Sequence, residues 1–158
     1  GRYSKEKGIE TLLKACQKLE HIPFYFAGNG PMINEVKKVA NVTDMGFLEG
    51  DELQNLIRRA SFCIFPSECN ENCPFSVMEA IMCGTPVIGA DVGGVPELIR
   101  NGENGILYES GNESELCDKI NKLWNDKVKL SYMKENCLQT KFYGIEEYCE
   151  QMIKYYQN

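Results

Sequence analysis

The chain has 158 residues, 43% hydrophobic and 25% charged, which is enough for one globular domain with its own core and unlike a disordered or fibrous chain. Its net charge of −6 argues against a nucleic-acid binder, because such proteins use clustered lysine and arginine to contact phosphates. No apolar run approaches the roughly 20 residues that cross a bilayer, so neither a membrane span nor a signal peptide is predicted.

Short apolar runs bounded by turn residues alternate with helical patterns along the chain. The runs predict strands at 22–28, 42–48, 61–67, 85–91 and 105–109. The helical patterns cover 8–20, 51–60, 77–83, 113–124 and 144–158. The first places Ile9, Leu12, Leu13 and Cys16 on one face, and the second starts on Asp51, which can cap it. Strands that alternate with helices pair in parallel through right-handed crossovers. The sequence therefore predicts an α/β fold over residues 1–158, a single Rossmann-like doubly wound parallel sheet with helices on both faces.

The first residues carry a separate expectation about the extent of the domain. Residues 1–8 resemble the end of a strand that leads into the first helix, not its beginning. In the Rossmann strand order the first strand is central, so a domain without it would be costly to fold. We therefore expect the chain to be a fragment of a longer protein, with the rest of this strand upstream.

The cysteines and the histidine favour neither a disulfide scaffold nor a metal site. The eight cysteines lie within apolar-patterned segments, which predicts reduced thiols in a cytoplasmic protein. The pair Cys69 and Cys73 has no matching second pair for zinc, and His21 is the only histidine, expected at the surface. No metal site is predicted.

Ligands of such sheets bind beyond the carboxyl ends of the strands, so the loops that follow the strands are the candidate sites. The loop with Gly28 and Gly30 lacks the full dinucleotide motif, because Ile33 stands where the third glycine belongs. It also fits a tight turn, which leaves its backbone accessible to a ligand. Farther on, Gly93 and Gly94 predict another tight turn, with Glu97 in a structural role at the start of a short helix.

The stretch "SECNENCPFSVMEA" at 67–80 holds two glutamates eight residues apart. Pro74 makes one helix through both unfavourable, so Glu71 is predicted in a loop, and Glu79 in the first helical turn or just beyond it. The start of a helix attracts phosphate. Ser76 and Glu79 also form a capping-box pattern, which would explain both residues without any ligand. The spacing alone leaves both interpretations open.

The motif E-x7-E, followed by "EAIMCGTPVIGADVGGVPELI", resembles the carboxyl-terminal, donor-binding half of a family 4 glycosyltransferase with GT-B architecture. "GRYSKEKGIETLLKA" and "FAGNGP" extend the resemblance over about residues 1–125. It implies transfer of a sugar from a nucleotide diphosphate sugar with retention of configuration, with no metal and no cofactor other than the donor substrate itself.

The resemblance also implies roles for individual residues. Arg2 and Lys7 would bind the donor diphosphate, Glu71 the hydroxyls of the donor sugar and Glu79 the ribose hydroxyls. We assign Arg2, Lys7 and Glu71 to catalysis, because stabilising the departing diphosphate would be the main catalytic contribution.

Backbone contacts complete the implied donor site. The N–H groups near Phe75 and Ser76 would hold phosphate or sugar, although Pro74 lacks the N–H of the glycine that the broader family often has there. The strip Met45–Leu48, including Phe47 and Leu48, would lie along the base. The backbone at Gly28 and Gly30 is included among the donor-binding positions.

The expected partners are a UDP-, GDP- or ADP-sugar and an absent amino-terminal acceptor domain, through which the cytoplasmic protein could reach a membrane surface. Two alternatives remain at this point: a nucleotide-sugar-binding module without transferase activity, and a GT-B nucleotide-sugar epimerase. The isolated chain is expected to bind the donor without transferring its sugar.

Overall fold

The structure, a computed structural model, describes residues 1–142 and 144–157, with the backbone alone at 145, 148, 151 and 157. Its strands are β1 (Phe24–Phe26), β2 (Val42–Asp44), β3 (Cys63–Phe65), β4 (Val87–Asp91) and β5 (Gly105–Glu109). Its helices are α1 (Ile9–Lys18), α2 (Ile33–Val36), α3 (Gly50–Arg59), α4 (Phe75–Met82), α5 (Val95–Leu98), α6 (Glu113–Asn125), α7 (Lys127–Gln139) and α8 (Ile145–Gln157). A 3₁₀ turn, Lys5–Lys7, precedes α1.

Every pairing between these strands is parallel, which confirms the predicted α/β fold with helices on both faces. Phe24 pairs with Val42 in the first sheet. In the second sheet Val87 of β4 lies between Cys63 of β3 and Gly105 of β5. Parallel neighbours require helical crossovers, which α2, α4 and α5 supply.

The pairing is interrupted between β1 and β3, which differs from the predicted single sheet. Among the described residues, β1 pairs with β2 in one sheet, and β3, β4 and β5 form another. An isolated parallel bridge joins Arg2 to Asn29, just beyond the end of β1. The two sheets therefore present one edge each to the space between them.

Most strands and helices differ by a few residues from the predicted bounds. The strand predicted at 42–48 ends at Asp44, because Gly46 has a φ of 68° that turns the chain. The prediction that Asp51 caps α3 is wrong: α3 begins at Gly50 after Glu49, and no side chain caps it. Asp51 lies in the first turn, where a carboxylate is favourable beside the positive end of the helix dipole.

The core lies where the helices bury their apolar faces against the strands. The predicted face of α1 is confirmed, since Ile9, Leu12, Leu13 and Cys16 are all buried. Val77 and Ile81 on α4 belong to a second buried cluster. Each such side chain contributes roughly 1.5–3 kcal/mol when it is fully buried.

The remaining sequence predictions concern cysteines, the histidine and the last helix. All eight cysteines are free, as expected, and His21 is exposed. The predicted terminal helix is observed as α8, while Asn158 lies outside the described residues. Across the part of the chain that the structure describes, every helix is too short or too polar to traverse a bilayer.

Candidate functional site

The 3₁₀ turn Lys5–Lys7 brings a lysine against the loop that follows β3. The turn ends at Gly8, which has a φ of 65°. A Cβ at Gly8 would collide with the backbone carbonyl of Pro66, so only glycine allows this approach. The contact holds Lys7 beside residues 67–71, at the carboxyl end of β3.

Lys7 and Glu71 form an ion pair at this position. The Lys7 Nζ lies 2.8 Å from Glu71 Oε1, and the Ser67 hydroxyl donates a hydrogen bond of 2.8 Å to the same oxygen. Cys69 lies beside the pair, with its Sγ 3.8 Å from the Lys7 Nζ. Both strong hydrogen bonds from described residues use Oε1, so Oε2 of Glu71 is left to accept from a ligand.

The pKa values of both partners reflect this pairing. Burial alone would raise the pKa of Glu71, but the hydrogen bonds from Lys7 and Ser67 and the lysine charge outweigh it and hold that pKa below its ordinary value. The hydrogen bond to Glu71 is the largest cause that raises the pKa of Lys7. Both groups are therefore charged at neutral pH, and each side chain remains partly accessible, 33% for Lys7 and 26% for Glu71.

The backbone of the Glu71 loop is held from the other side by the loop that precedes α5. The Gly94 N–H donates to the Glu71 carbonyl at 2.8 Å. A Cβ on Gly94 would collide with the carbonyl of Asn72, and one on Gly93 would lie 2.7 Å from the Glu71 carbonyl oxygen. The sequence predicted a tight turn at these glycines but gave no signal of this contact. Ser67 was likewise missed, although it opens the quoted stretch four residues before Glu71.

The start of α4 excludes one of the two interpretations of the second glutamate, the capping box. The helix begins at Phe75 after Pro74, and no side chain caps it. Ser76 is therefore inside the helix, and the capping box of Ser76 and Glu79 is not formed. The loop position of Glu71 and the helical position of Glu79 are as predicted. The side chain of Glu79 is exposed and free of hydrogen bonds and ion pairs to other described residues.

Gly28 and Gly30 contact the first residues of the chain. The Asn29 N–H donates to the Gly1 carbonyl at 3.2 Å, and the Tyr3 N–H to the Asn29 carbonyl at 2.8 Å. Side chains at Gly28 or Gly30 would collide with the backbone of Gly1 or Tyr3. These glycines therefore permit close packing of residues 1–3, and their contact with a donor stays a prediction.

The strip Met45–Leu48 is fixed by a polar cluster around Asp44. The Tyr3 hydroxyl donates to Asp44 Oδ1 at 3.0 Å, and the Gly46 N–H donates to the same oxygen at 3.1 Å. The Gly28 N–H donates to the Gly46 carbonyl at 2.7 Å, which ties the strip to the loop after β1. Within the strip Phe47 is 72% exposed and Leu48 is half-buried.

One cavity of about 1090 Å³ connects several of the predicted site residues. Its lining brings together Arg2, Lys7, Leu48, Glu71 and Ser76. The other predicted residues lie outside that lining, among the described part of the chain: Gly28, Gly30, Phe47, Phe75 and Glu79. Phe75 is 74% exposed at the start of α4. We call the part of the lining formed by Arg2, Lys7, Glu71 and Ser76 the polar end of the cavity. It carries two cationic side chains, one carboxylate and the amino-terminal end of a helix.

Comparison with known proteins gives the family of this chain. A model of the family "Glycosyl transferases group 1" matches residues 1–126. The sulfoquinovosyl transferase SQD2 of Arabidopsis thaliana is 31% identical over 133 residues, which cover 80% of this chain and 26% of that protein.

Solved structures share the fold. Sucrose-phosphate synthase of Thermosynechococcus elongatus superposes with a TM-score of 0.82 at 26% identity, covering 99% of this chain and 43% of that one. The Anabaena protein Alr3699/HepE, solved with UDP and glucose, gives a TM-score of 0.78 at 25% identity, covering 88% of this chain and 41% of that one. The chain thus spans less than half the length of each of these proteins.

Proposed function

Because the chain belongs to the glycosyl transferases of group 1, matched over residues 1–126, we propose that it is the donor-binding half of a retaining glycosyltransferase. Its substrate would be a nucleotide diphosphate sugar, whose sugar is passed to an acceptor hydroxyl. The observation that carries this proposal is the Lys7 and Glu71 pair beside the start of α4. The complex of Alr3699/HepE with UDP and glucose supports a nucleotide-sugar ligand.

The proposed diphosphate site consists of Lys7, Arg2 and the first N–H groups of α4. Lys7 uses one of its three ammonium hydrogens on Glu71 and a second in the long contact with Cys69 Sγ, so one remains available to a phosphate oxygen. A cation about 4 Å from a phosphate contributes roughly 4 kcal/mol at an effective dielectric of 20, before the cost of desolvation. In a chain of net charge −6 such local cations are needed to attract a dianion.

Glu71 is proposed to bind the donor sugar through its second carboxylate oxygen. Lys7 and Ser67 hold Oε1 and fix the direction of the carboxylate, which leaves Oε2 for a sugar hydroxyl. Catalysis would then be electrostatic: Arg2, Lys7 and the α4 dipole stabilise the charge on the departing diphosphate. In this scheme the leaving phosphate assists the incoming hydroxyl, so the protein supplies no separate base and no metal.

Calorimetric titration with UDP-glucose, GDP-glucose and ADP-glucose, each with and without EDTA, tests the proposal. We expect the chain to bind one base at least about tenfold more tightly than the others, with an affinity that EDTA leaves unchanged. Absence of binding by all three would overturn the donor site. Affinity that falls on chelation and returns with Mg²⁺ or Mn²⁺ would overturn metal independence alone.

A transfer assay tests the half-site role and the two alternatives. The isolated chain should not transfer sugar to an added acceptor, whereas a full-length form should. Turnover by this chain alone would contradict the need for an acceptor half. A full-length protein that binds donors without turnover would favour a binding module, and one that inverts a hydroxyl of the donor sugar would favour an epimerase.

A further inference from the structure

The loop that connects β3 to α4, residues 66–74, carries Glu71 and is contacted by two side chains from the first segment of the chain. One is Lys7, which the proposed function uses. The other is Thr11 of α1, whose hydroxyl donates a hydrogen bond of 2.6 Å to Glu68 Oε1. The proposed function leaves Thr11 and Glu68 without a role.

Glu68 is held through its main chain as well as through its side chain. Its N–H donates to the Glu6 carbonyl at 3.0 Å, while its carboxylate accepts from Thr11. Hydrogen bonds weaken steeply when they are misaligned, so two of them on one residue restrict its orientation as well as its position. Both partners belong to the stretch 6–11, which also presents Lys7 to the loop.

The neighbours of Glu68 on either side belong to the cluster around Glu71. Ser67 is 2% exposed, and its hydroxyl donates to Glu71 Oε1 at 2.8 Å. The Ser67 Oγ also lies 3.3 Å from the Sγ of Cys69. A rotation of the main chain at Glu68 would therefore move both the hydroxyl that orients the carboxylate and the thiol beside it.

We propose that Glu68 is a positioning residue of the donor site. Held by the stretch 6–11, it fixes Ser67, whose hydroxyl directs the Glu71 carboxylate toward the donor sugar. This rests on the proposed function, since it concerns the same carboxylate. The side chains of Thr11 and Glu68 lie outside the lining of the cavity, so they act on the donor only through the loop. Their loss should affect binding of the sugar more than binding of the diphosphate.

Five variants of the protein test this proposal. Thr11→Val removes the hydroxyl with a similar shape and helix propensity, whereas Thr11→Ser keeps it. Glu68→Ala removes the acceptor, whereas Glu68→Gln keeps an oxygen that accepts from Thr11 and removes only the charge. The double variant, Thr11→Val with Glu68→Ala, shows whether the two side chains act through one contact.

The rate at which iodoacetamide alkylates Cys69, followed by peptide mass spectrometry, reports on the loop without any nucleotide. Cys16 is the internal control, because it is buried on α1, the helix that carries Thr11. Thr11→Val and Glu68→Ala should raise the Cys69 rate about threefold or more and leave the Cys16 rate within about twofold.

The conservative variants and the double variant complete this measurement. Thr11→Ser and Glu68→Gln should keep the Cys69 rate of the wild type within about twofold, because the hydrogen bond persists. The double variant should react no faster than either single variant. A Cys69 rate in Thr11→Val equal to that of the wild type would overturn the proposal. So would an equal rise at Cys16, since the whole fold would then be loosened.

Titration with UDP and UDP-glucose measures the effect on the donor site. In Thr11→Val the affinity for UDP-glucose should fall about threefold or more, the affinity for UDP should stay within about twofold, and the melting temperature should stay within about 3 °C. Equal losses for the two ligands would overturn the positioning of a sugar-binding carboxylate. If the wild type binds neither nucleotide, the proposed function fails, and the Cys69 rates still show whether Thr11 and Glu68 hold the loop.

Discussion

The Lys7 ammonium lies 2.8 Å from Glu71 Oε1, although the two residues are 64 positions apart in the sequence. The pair joins the 3₁₀ turn before α1 to the loop after β3, two of the segments that line the polar end of the cavity. It therefore couples the proposed diphosphate site to the proposed sugar site, and removal of either partner should affect the two sites differently.

Lys7→Ala should weaken the binding of bare and sugar-bearing nucleotides alike, by about tenfold or more, because both carry the diphosphate. Lys5 is a matched control, since it lies in the same 3₁₀ turn with an 80% exposed side chain. Lys5→Ala should leave both affinities unchanged within about twofold. Titration of UDP and UDP-glucose into both variants measures the difference. Equal losses in the two variants would indicate a general charge effect and contradict a site at Lys7.

Glu71→Ala should change the affinity for a sugar-bearing nucleotide and the affinity for a bare nucleotide in different ways. It removes the carboxylate that would bind the sugar, so the affinity for the sugar-bearing nucleotide should fall. It also frees Lys7 from its partner, so the affinity for the bare nucleotide should hold or rise. The free energy of unfolding should change by less than about 1 kcal/mol, because the pair is partly exposed. Equal losses for both ligands would contradict the sugar contact.

The pair should stabilise the fold only within a defined pH range. The pKa of Glu71 is below its ordinary 4.5, so its contribution is present above pH 4.5 and is lost as the pH falls through the lower folded-state pKa. The pKa of Lys7 is above its ordinary 10.5, so its contribution is present below pH 10.5 and is lost as the pH rises beyond the folded-state value.

Urea denaturation of the wild type and Glu71→Gln at pH 7 and pH 3 measures this effect. The free energies of unfolding should differ by up to about 1 kcal/mol at pH 7, and the difference should shrink toward pH 3 as the pH falls through the lowered pKa of Glu71. The glutamine still accepts from Ser67, so loss of charge is the main change. A difference of the same size at both pH values would show that the effect is not electrostatic.

Sequence patterns predicted those parts of the site that depend on local chemistry. Pro74 was enough to separate the loop of Glu71 from the helix of Glu79, because a proline fits the start of a helix and not its interior. The apolar spacing of α1 predicted which face is buried. The bounds of β5, at 105–109, follow from a short apolar run between turns and match the prediction.

Other parts depend on contacts between distant segments, which local patterns do not contain. The capping box is not formed because α4 begins at Phe75, one residue before Ser76. The spacing of Ser76 and Glu79 in the sequence does not reveal where the helix begins. The hydrogen bond from Gly94 to the Glu71 carbonyl joins residues from different loops, and both glycines fit a simple turn equally well. The interruption between β1 and β3 likewise depends on the pairing of strands, not on any one run.

Gly94→Ala should weaken donor binding although Gly94 itself contacts no predicted ligand. The added Cβ would collide with the Asn72 carbonyl and displace the loop that carries Glu71. Gly94 has an ordinary φ of −84°, so the effect is steric and not conformational. Gly144→Ala is the control, because among the described residues its Cβ would meet only Glu147 Oε2, at 3.9 Å.

Titration of UDP-glucose and a melting curve distinguish the outcomes for the two glycine variants. We expect Gly94→Ala to lose affinity by about tenfold at a temperature where it remains folded, and Gly144→Ala to retain it. Wild-type affinity in Gly94→Ala would mean that the loop adjusts without moving the carboxylate, and the positioning role of this glycine would be rejected.

Glu79→Gln tests the second glutamate, which forms no capping box with Ser76 because no side chain caps α4. Because Glu79 is exposed and free of ion pairs to other described residues, the change should leave the melting temperature within about 1 °C of the wild type. If this carboxylate accepts hydrogen bonds from the ribose hydroxyls, its loss should instead lower the affinity for every ligand that carries the ribose. The affinities for UDP and UDP-glucose should therefore fall by the same factor, whereas Glu71→Ala should change the two affinities differently.

Glu97→Gln is the matched control, because Glu97 is also exposed and lies in the first turn of a neighbouring helix, α5. It removes one negative charge at a comparable position, so it accounts for any general electrostatic effect on an anionic ligand. Such an effect would tighten binding, since the chain is acidic, whereas loss of a ribose contact weakens it. If Glu79→Gln tightens both nucleotides as Glu97→Gln does, Glu79 is a solvated surface charge and has no part in the donor site.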